Sequence, residues 1–204
     1  MLLETALNEA MRTVAPFGLS TRCRIIREGD EGALFAAESA SIATRHLLRR
    51  RASGAARLVA RELLADKGME GLAVLRAPSG EPVWPSGMVG SLAHDDDMAV
   101  AALANATDFL SVGIDVEPAT PLPADIFALV RQPGDRLPAQ APADRILFCA
   151  KEAVYKAVYP LDHVVLNYDD ILVDLQRGYA RTTTGREVRV VFCSAPRIVA
   201  LAYL

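Results

Sequence analysis

The chain has 204 residues, 51% of them hydrophobic, with a formal charge of −3 and a pI near 5.7. It can bury one sizeable core or two small halves packed together, and its acidic balance argues against a general nucleic-acid binder. Cys23, Cys149 and Cys193 lie far apart with no CxxC pair, which suits a reducing cytosol and supports neither a zinc site nor a disulfide framework.

No apolar run reaches the ~18 residues of a membrane span. The opening "MLLETALNEAMRTVAPF" lacks the basic n-region of a secretory signal and reads as a short helix. The expectation is a soluble, cytoplasmic protein with no nucleic-acid or membrane partner. Residues 33 to 66 read as helix, with apolar positions Leu47, Leu48, Leu58, Val59, Leu63 and Leu64 and a stop signal at Gly68. Gly54 is a weak point in it, worth ~1 kcal/mol against alanine. Six arginines fall between positions 45 and 61. Arg49 and Arg57 return to roughly the same face, and Arg50, Arg57 and Arg61 make another stripe. The guanidinium fork matches phosphate, so this helix suits a polyanionic small ligand as well as a solvated basic face.

The stretch "RAPSGEPVWPSGMVGS" follows, and its proline and glycine density predicts irregular structure over most of its length. His94 is expected in a glycine-bearing turn, where backbone N–H groups meet a phosphate readily. Short β-like runs come next, at 98–104, 109–117, 171–175 and 187–194, and the chain closes with "RIVALAYL". "HDDDMAVAALA" and "SAPRIVALAYL", about a hundred residues apart, are each a polar turn feeding a small-residue apolar strand, which points to two similar halves. Between them, residues 118 to 144 hold six prolines and two candidate helix pieces, and read as a long, partly mobile connection.

In "VGIDVE" strand alternation puts Asp115 and Glu117 on one face and Val116 on the other. Adjacent carboxylates raise each other's pKa unless paired. A hard divalent cation resolves the conflict; a solvated strand face is the plainer reading. "HDDD" at 94 to 97 is a rival acid cluster, with a solvated loop or N-cap as the simpler role for Asp95, Asp96 and Asp97. In "FCAKEAVYKAVYP", 148 to 160, the apolar residues recur at helical spacing, so Glu152 and Lys156 are neighbours at i and i+4. Alone, that is a surface ion pair of ~0.3–0.5 kcal/mol.

Three pieces, "WPSGMVGSLAH" (84–94), "GIDVE" (113–117) and "FCAKEAVYKA" (148–157), occur in an order and spacing that resemble the Sfp-type 4′-phosphopantetheinyl transferases, particularly the branch close to the enterobactin-synthetase transferases. The resemblance covers nearly the whole chain. It includes the family's R-x7-R pair on Arg49 and Arg57 and a P-x-W-P-x-G turn at 82 to 87. It implies an α+β pseudo-dimer of two similar α/β halves, residues 1–108 and 109–204, with the active site in the cleft between them. The implied activity is transfer of the phosphopantetheine arm of coenzyme A to a serine of an apo acyl or peptidyl carrier protein, releasing 3′,5′-ADP, with magnesium as cofactor and manganese as a substitute.

By family match, Asp115, Glu117 and Glu152 are the metal ligands. Glu152 is also the candidate general base, and Lys156 and Lys151 reach the phosphates. Arg49, Arg57, Arg76, Ala93 and His94 hold the nucleotide end, with Ala77, Pro78 and Ser79 as part of its wall; Leu166 sits by the cofactor arm. Arg131, Arg136 and Phe127 are candidate carrier contacts, and a monomer is expected. Three departures stand out. Ala93 replaces a hydroxyl residue before the histidine, Ala52 and Ser53 replace an acid and an aromatic between the two arginines, and Ala56 replaces a glycine. Two rival readings are a magnesium-dependent nucleotide phosphohydrolase using Asp95, Asp97, Asp115 and Glu117, and an inactive coenzyme A-binding scaffold.

Overall fold

The computed structural model describes residues 2–204. The opening segment forms helix α1 (Leu2–Val14), whose buried Leu7 and Met11 are one turn apart and pack toward β1 (Ser20–Ile25). The helix expected over 33–66 is broken. A 3-10 turn (Asp30–Ala33) leads into the short α2 (Ala36–Ser41), and α3 (Leu47–Ala65) starts after a gap. Ile42, extended and buried, ends α2. Glu38, wholly buried, fixes this arrangement by accepting from Arg61 (2.5 Å), the Phe35 amide (2.8 Å) and the Val74 amide (3.0 Å). Gly54 is no weak point in this setting. A Cβ there would stand 1.9 Å from the Asp30 carbonyl oxygen, so the bare helix surface is what admits the 3-10 turn.

The proline- and glycine-rich stretch is more regular than its composition predicts. It holds a minimal hairpin, β2 (Leu75–Arg76) with β3 (Pro82–Val83), and the seven-residue strand β4 (Met88–His94). Gly90 is a packing residue in that strand, since a Cβ would sit 2.8 Å from the Trp84 ring and 2.5 Å from the Ala102 oxygen. His94 therefore ends a strand, and the turn lies after it, at 95–97.

The remaining elements are β5 (Met98–Asn105), β6 (Val112–Glu117), α4 (Ala124–Val130), α5 (Ala143–Asp162), a 3-10 turn (Tyr168–Asp170), β7 (Ile171–Asp174), β8 (Tyr179–Thr182), β9 (Glu187–Cys193) and β10 (Ile198–Tyr203). Only one of the two helices expected in 118–144 forms. The rest of that connection is tied to β7, through Arg136 N–H to Val173 O (2.9 Å) and Val173 N–H to Asp135 Oδ1 (2.9 Å).

The two halves share one path. The first sheet runs β1-β5-β4 and the second begins β6-β10-β9 before adding β8 and β7; all these pairs are antiparallel. In each, the first strand pairs with the last and the last with the one before it, and a long helix, α3 or α5, packs on the sheet. The alike segments at 98 and 198 are thus the middle strands of the three that each sheet lays down in this way. Both are covered on both faces, which accounts for their unbroken small apolar residues. β6 packs against β4 and β5 on one side and α5 on the other, so it lies at the seam between the halves.

Candidate functional site

Strand alternation at the seam works as the sequence predicts. Val112, Ile114 and Val116 enter the core shared with the first half, while Gly113, Asp115 and Glu117 face α5. On α5, Lys156 reaches across to Asp115: its Nζ donates to Asp115 Oδ1 at 2.6 Å and to the Ile114 carbonyl at 3.3 Å. Burial pulls the lysine pKa down, but the Asp115 carboxylate outweighs it and holds the ammonium charged. Asp115 is itself buried, and its Oδ2 has no hydrogen-bond partner among the described residues.

Glu117 accepts from Arg145 at 2.8 Å, and Glu152 accepts from the Tyr168 phenol at 2.8 Å. Both glutamates are pushed above the usual carboxylate range, chiefly by burial and further by the Asp115 charge. Neither Arg145 nor Tyr168 is singled out by the sequence motifs. Arg145 lies in the first turn of α5 and also donates to the Thr120 and Pro121 carbonyls at 3.1 Å, fastening the chain that leaves β6. Only the folded contact, across 16 residues for Tyr168 and 28 for Arg145, identifies either as a partner.

Lys151 is not brought to this group. It points elsewhere around α5, wholly buried, and is bound to Asp135 Oδ2 (2.8 Å) and to the carbonyls of Val130 and Tyr168 (2.9 Å each). It is the immediate neighbour of Glu152 in sequence, but the ~100° rotation per helical residue turns it into the second-half core. Burial lowers its pKa, the Asp135 contact opposing.

The arginine helix divides likewise. Arg57 is buried, with Nε donating to the Val74 carbonyl (2.9 Å) and burial lowering its pKa. Arg50 donates to Ser39 Oγ (2.6 Å) and Arg61 to Glu38, so the second stripe holds α2 in place rather than facing solvent. Arg49 is exposed, and its guanidinium has no partner among the described residues. Arg76 is exposed beside the turn formed by Ala77, Pro78 and Ser79, with Nε on the Gly80 carbonyl (3.2 Å). The positive charges of Arg76 and Arg61 lie near enough to lower the Arg57 pKa further. Ala93 is buried in β4. His94 follows at the mouth of the seam, where crowding by protein and the Lys156 charge lower its pKa.

The "HDDD" turn is a structural lock. Arg197, from the turn before β10, pairs with Asp95 and with Asp97 (2.6 Å), and Asp95 Oδ1 also accepts the Asp97 and Met98 amides. The four-acid arrangement needed by a phosphohydrolase therefore has two members already neutralised.

Two cavities flank the Glu152–Lys156 face of α5. One of about 490 Å³ lies between the halves, lined by Lys156, Tyr155 and Tyr159 from α5 and by Trp84, Gly90 and Ser91 from the first half. The other, about 280 Å³, is lined by Glu152, Leu166 and Tyr168 among others. Leu166 also packs on the second-half core. Among the described residues no three His, Cys, Asp or Glu side chains form a ready-made metal cluster. The chemistry of the acids suits a hard cation: Asp115 keeps a buried oxygen without a partner among the described residues, and Glu117 and Glu152 are carboxylates each held by one partner.

Comparison with known proteins agrees with this architecture. The family model described as the 4′-phosphopantetheinyl transferase N-terminal domain matches residues 37–104, and that of the 4′-phosphopantetheinyl transferase superfamily matches residues 111–196. The transferase Npt of Nocardia iowensis is 35% identical over 182 residues, 86% of this chain and 82% of Npt. Svp of Streptomyces mobaraensis is 39% identical over 155 residues (71% and 63% of the two chains), and PptT of Mycobacterium tuberculosis 39% over 135 (63% and 59%). The two matched segments meet at the seam where the acids and Lys156 gather, and the chain belongs to the 4′-phosphopantetheinyl transferase superfamily, enzymes that pass the phosphopantetheine arm of coenzyme A to carrier proteins.

Proposed function

We propose that this chain carries out the transfer at the seam between two halves, 1–108 and 109–204, through Asp115, Glu117, Glu152 and Lys156. The observation that carries this reading is Asp115: one oxygen is held by Lys156 at 2.6 Å and the other is buried without a partner among the described residues. A buried carboxylate left half-satisfied is costly unless a ligand completes it. Asp115 and Glu117, with Glu152 completing the oxygen set, would hold magnesium, or manganese in its place. The ion would supply charge neutralisation at the diphosphate oxygens.

The chain's own residues do the rest. The carrier serine hydroxyl attacks the phosphorus bearing the arm, the bond to the departing 3′,5′-ADP breaks, and the serine proton passes to Glu152, directly or through a water. A carboxyl held above its ordinary range is better matched to that task at neutral pH. Lys156 stabilises negative charge as the leaving group departs. Arg49, exposed to solvent, and Arg57 and Arg76 receive the nucleotide phosphates with His94, while Ala93 and the 77–79 turn form its wall. Leu166 borders the arm. The acidic carrier docks on the second half, where Arg131 lies 5.7 Å over the Phe127 ring and Arg136 is exposed. The enzyme acts as a cytoplasmic monomer without a membrane or nucleic-acid partner.

The test is intact-mass spectrometry of an apo carrier domain incubated with the protein, coenzyme A and magnesium. The expected result is a carrier heavier by one phosphopantetheine on its serine, and no product with Glu152→Gln. Full turnover by Glu152→Gln would overturn the role assigned to Glu152.

A further inference from the structure

Lys151 and Tyr168 are bound to each other and flank Glu152 from two directions. The Lys151 ammonium donates to the Tyr168 backbone carbonyl at 2.9 Å, while the Tyr168 phenol donates to Glu152 Oε1 at 2.8 Å. The lysine is in turn fixed by Asp135 and by the Val130 carbonyl, with both members of the ion pair wholly buried. Asp135 accepts two more bonds, from the Gln132 amide (2.7 Å) and the Val173 amide (2.9 Å). The 3-10 turn carrying Tyr168 is thus anchored to the same helix that carries Glu152. Its ring is packed against Phe148 of α5, centroids 5.9 Å apart. A long carboxylate side chain has several rotamers, and a neighbouring fixed donor selects one.

Resting on the role given to Glu152 above, we propose that Tyr168 is a positioning residue for this transfer: its phenol occupies Glu152 Oε1 and so presents Oε2, which has no hydrogen-bond partner among the described residues, to the reacting groups. Lys151 and Asp135 are the anchor that keeps the phenol in reach. On this reading the Lys-Glu pair at 151–152 is one device, in which the buried cation holds the tyrosine and the tyrosine holds the acid.

Tyr168→Phe tests this, since it keeps the ring on Phe148 and the backbone carbonyl on Lys151 and removes only the donor. The expected result is a kcat lower by about tenfold, with KM for coenzyme A changed less than about twofold. The melting temperature should fall by only about 2–4 °C, the cost of one lost hydrogen bond, with the fold retained. Binding of Mn²⁺ alone, titrated by electron paramagnetic resonance, provides a second readout. A weaker affinity assigns the tyrosine to the ligand role of Glu152, and an unchanged affinity with lowered kcat assigns it to the proton-accepting role. An unchanged kcat would overturn the proposal. If Glu152→Gln is inactive in the same assay, that outcome leaves the transferase reading intact, whereas failure of the unsubstituted enzyme to modify the carrier sinks both.

Discussion

Gly113 on β6 and Ala153 on α5 are in backbone contact: a Cβ on Gly113 would stand 1.9 Å from the Ala153 carbonyl oxygen and 2.7 Å from the Ala157 amide nitrogen. This approach is what brings Lys156 over Asp115. Gly113→Ala must lever the helix off the strand, and overpacking of this kind costs typically about 1–3 kcal/mol. Both the melting temperature and the transfer rate should fall. A variant with full turnover would show that the spacing of strand and helix is not needed.

The two lysines of the motif should fail in different ways. Lys151→Met leaves Asp135 charged and buried without its partner, and breaking such a pair costs about 3–5 kcal/mol. Chemical denaturation should show that loss, with KM for coenzyme A little changed in the folded protein. Lys156→Met should lower kcat by about a hundredfold, as read by carrier modification. Equal effects on coenzyme A binding would return Lys151 to the phosphates.

Arg49 and Arg57 separate by the same logic. Arg49→Ala removes an exposed cation, so KM for coenzyme A rises while stability stays within about 0.5 kcal/mol. Arg57→Ala also strips the Val74 carbonyl of a buried donor, which costs roughly a further 1–3 kcal/mol. Calorimetric titration with coenzyme A and thermal melts together distinguish them.

The raised pKa of Glu152, from burial first and the Asp115 charge second, sets a pH dependence. A proton acceptor must be ionised, so turnover is present above that pKa and is lost as pH falls through it, at a higher pH than the ~4.3 of a free glutamate. Stability runs the other way. The native state holds this proton more tightly than the unfolded chain, so the contribution is complete below the unfolded pKa and is lost as pH rises through the folded one. At neutral pH, Glu152→Gln should therefore melt higher than the unsubstituted enzyme while transferring nothing. A lower melting temperature at every pH would contradict the buried-charge explanation.

Local pattern carried the parts of this structure that depend on neighbouring residues. Alternation placed Asp115 and Glu117 on one face, helical spacing joined Glu152 to Lys156, and the alike segments at 98 and 198 marked the middle strands of the shared path. What escaped depended on contacts between distant segments. β4 was hidden because Gly90 reads as a turn residue until Trp84 lies against it. The helix at 33–66 reads as continuous because nothing in its periodicity reports the buried Glu38 that three segments share. Lys151 took its expected role from a motif, and its actual direction follows from the partner it finds at Asp135.

The most direct measurement is the rate of carrier modification as a function of Mg²⁺ for the unsubstituted enzyme and Asp115→Asn, each first stripped with a chelator. The account predicts that the unsubstituted enzyme regains transfer as Mg²⁺ is restored, while Asp115→Asn, folded by circular dichroism, does not. Transfer by Asp115→Asn at the unsubstituted rate and Mg²⁺ requirement would contradict it.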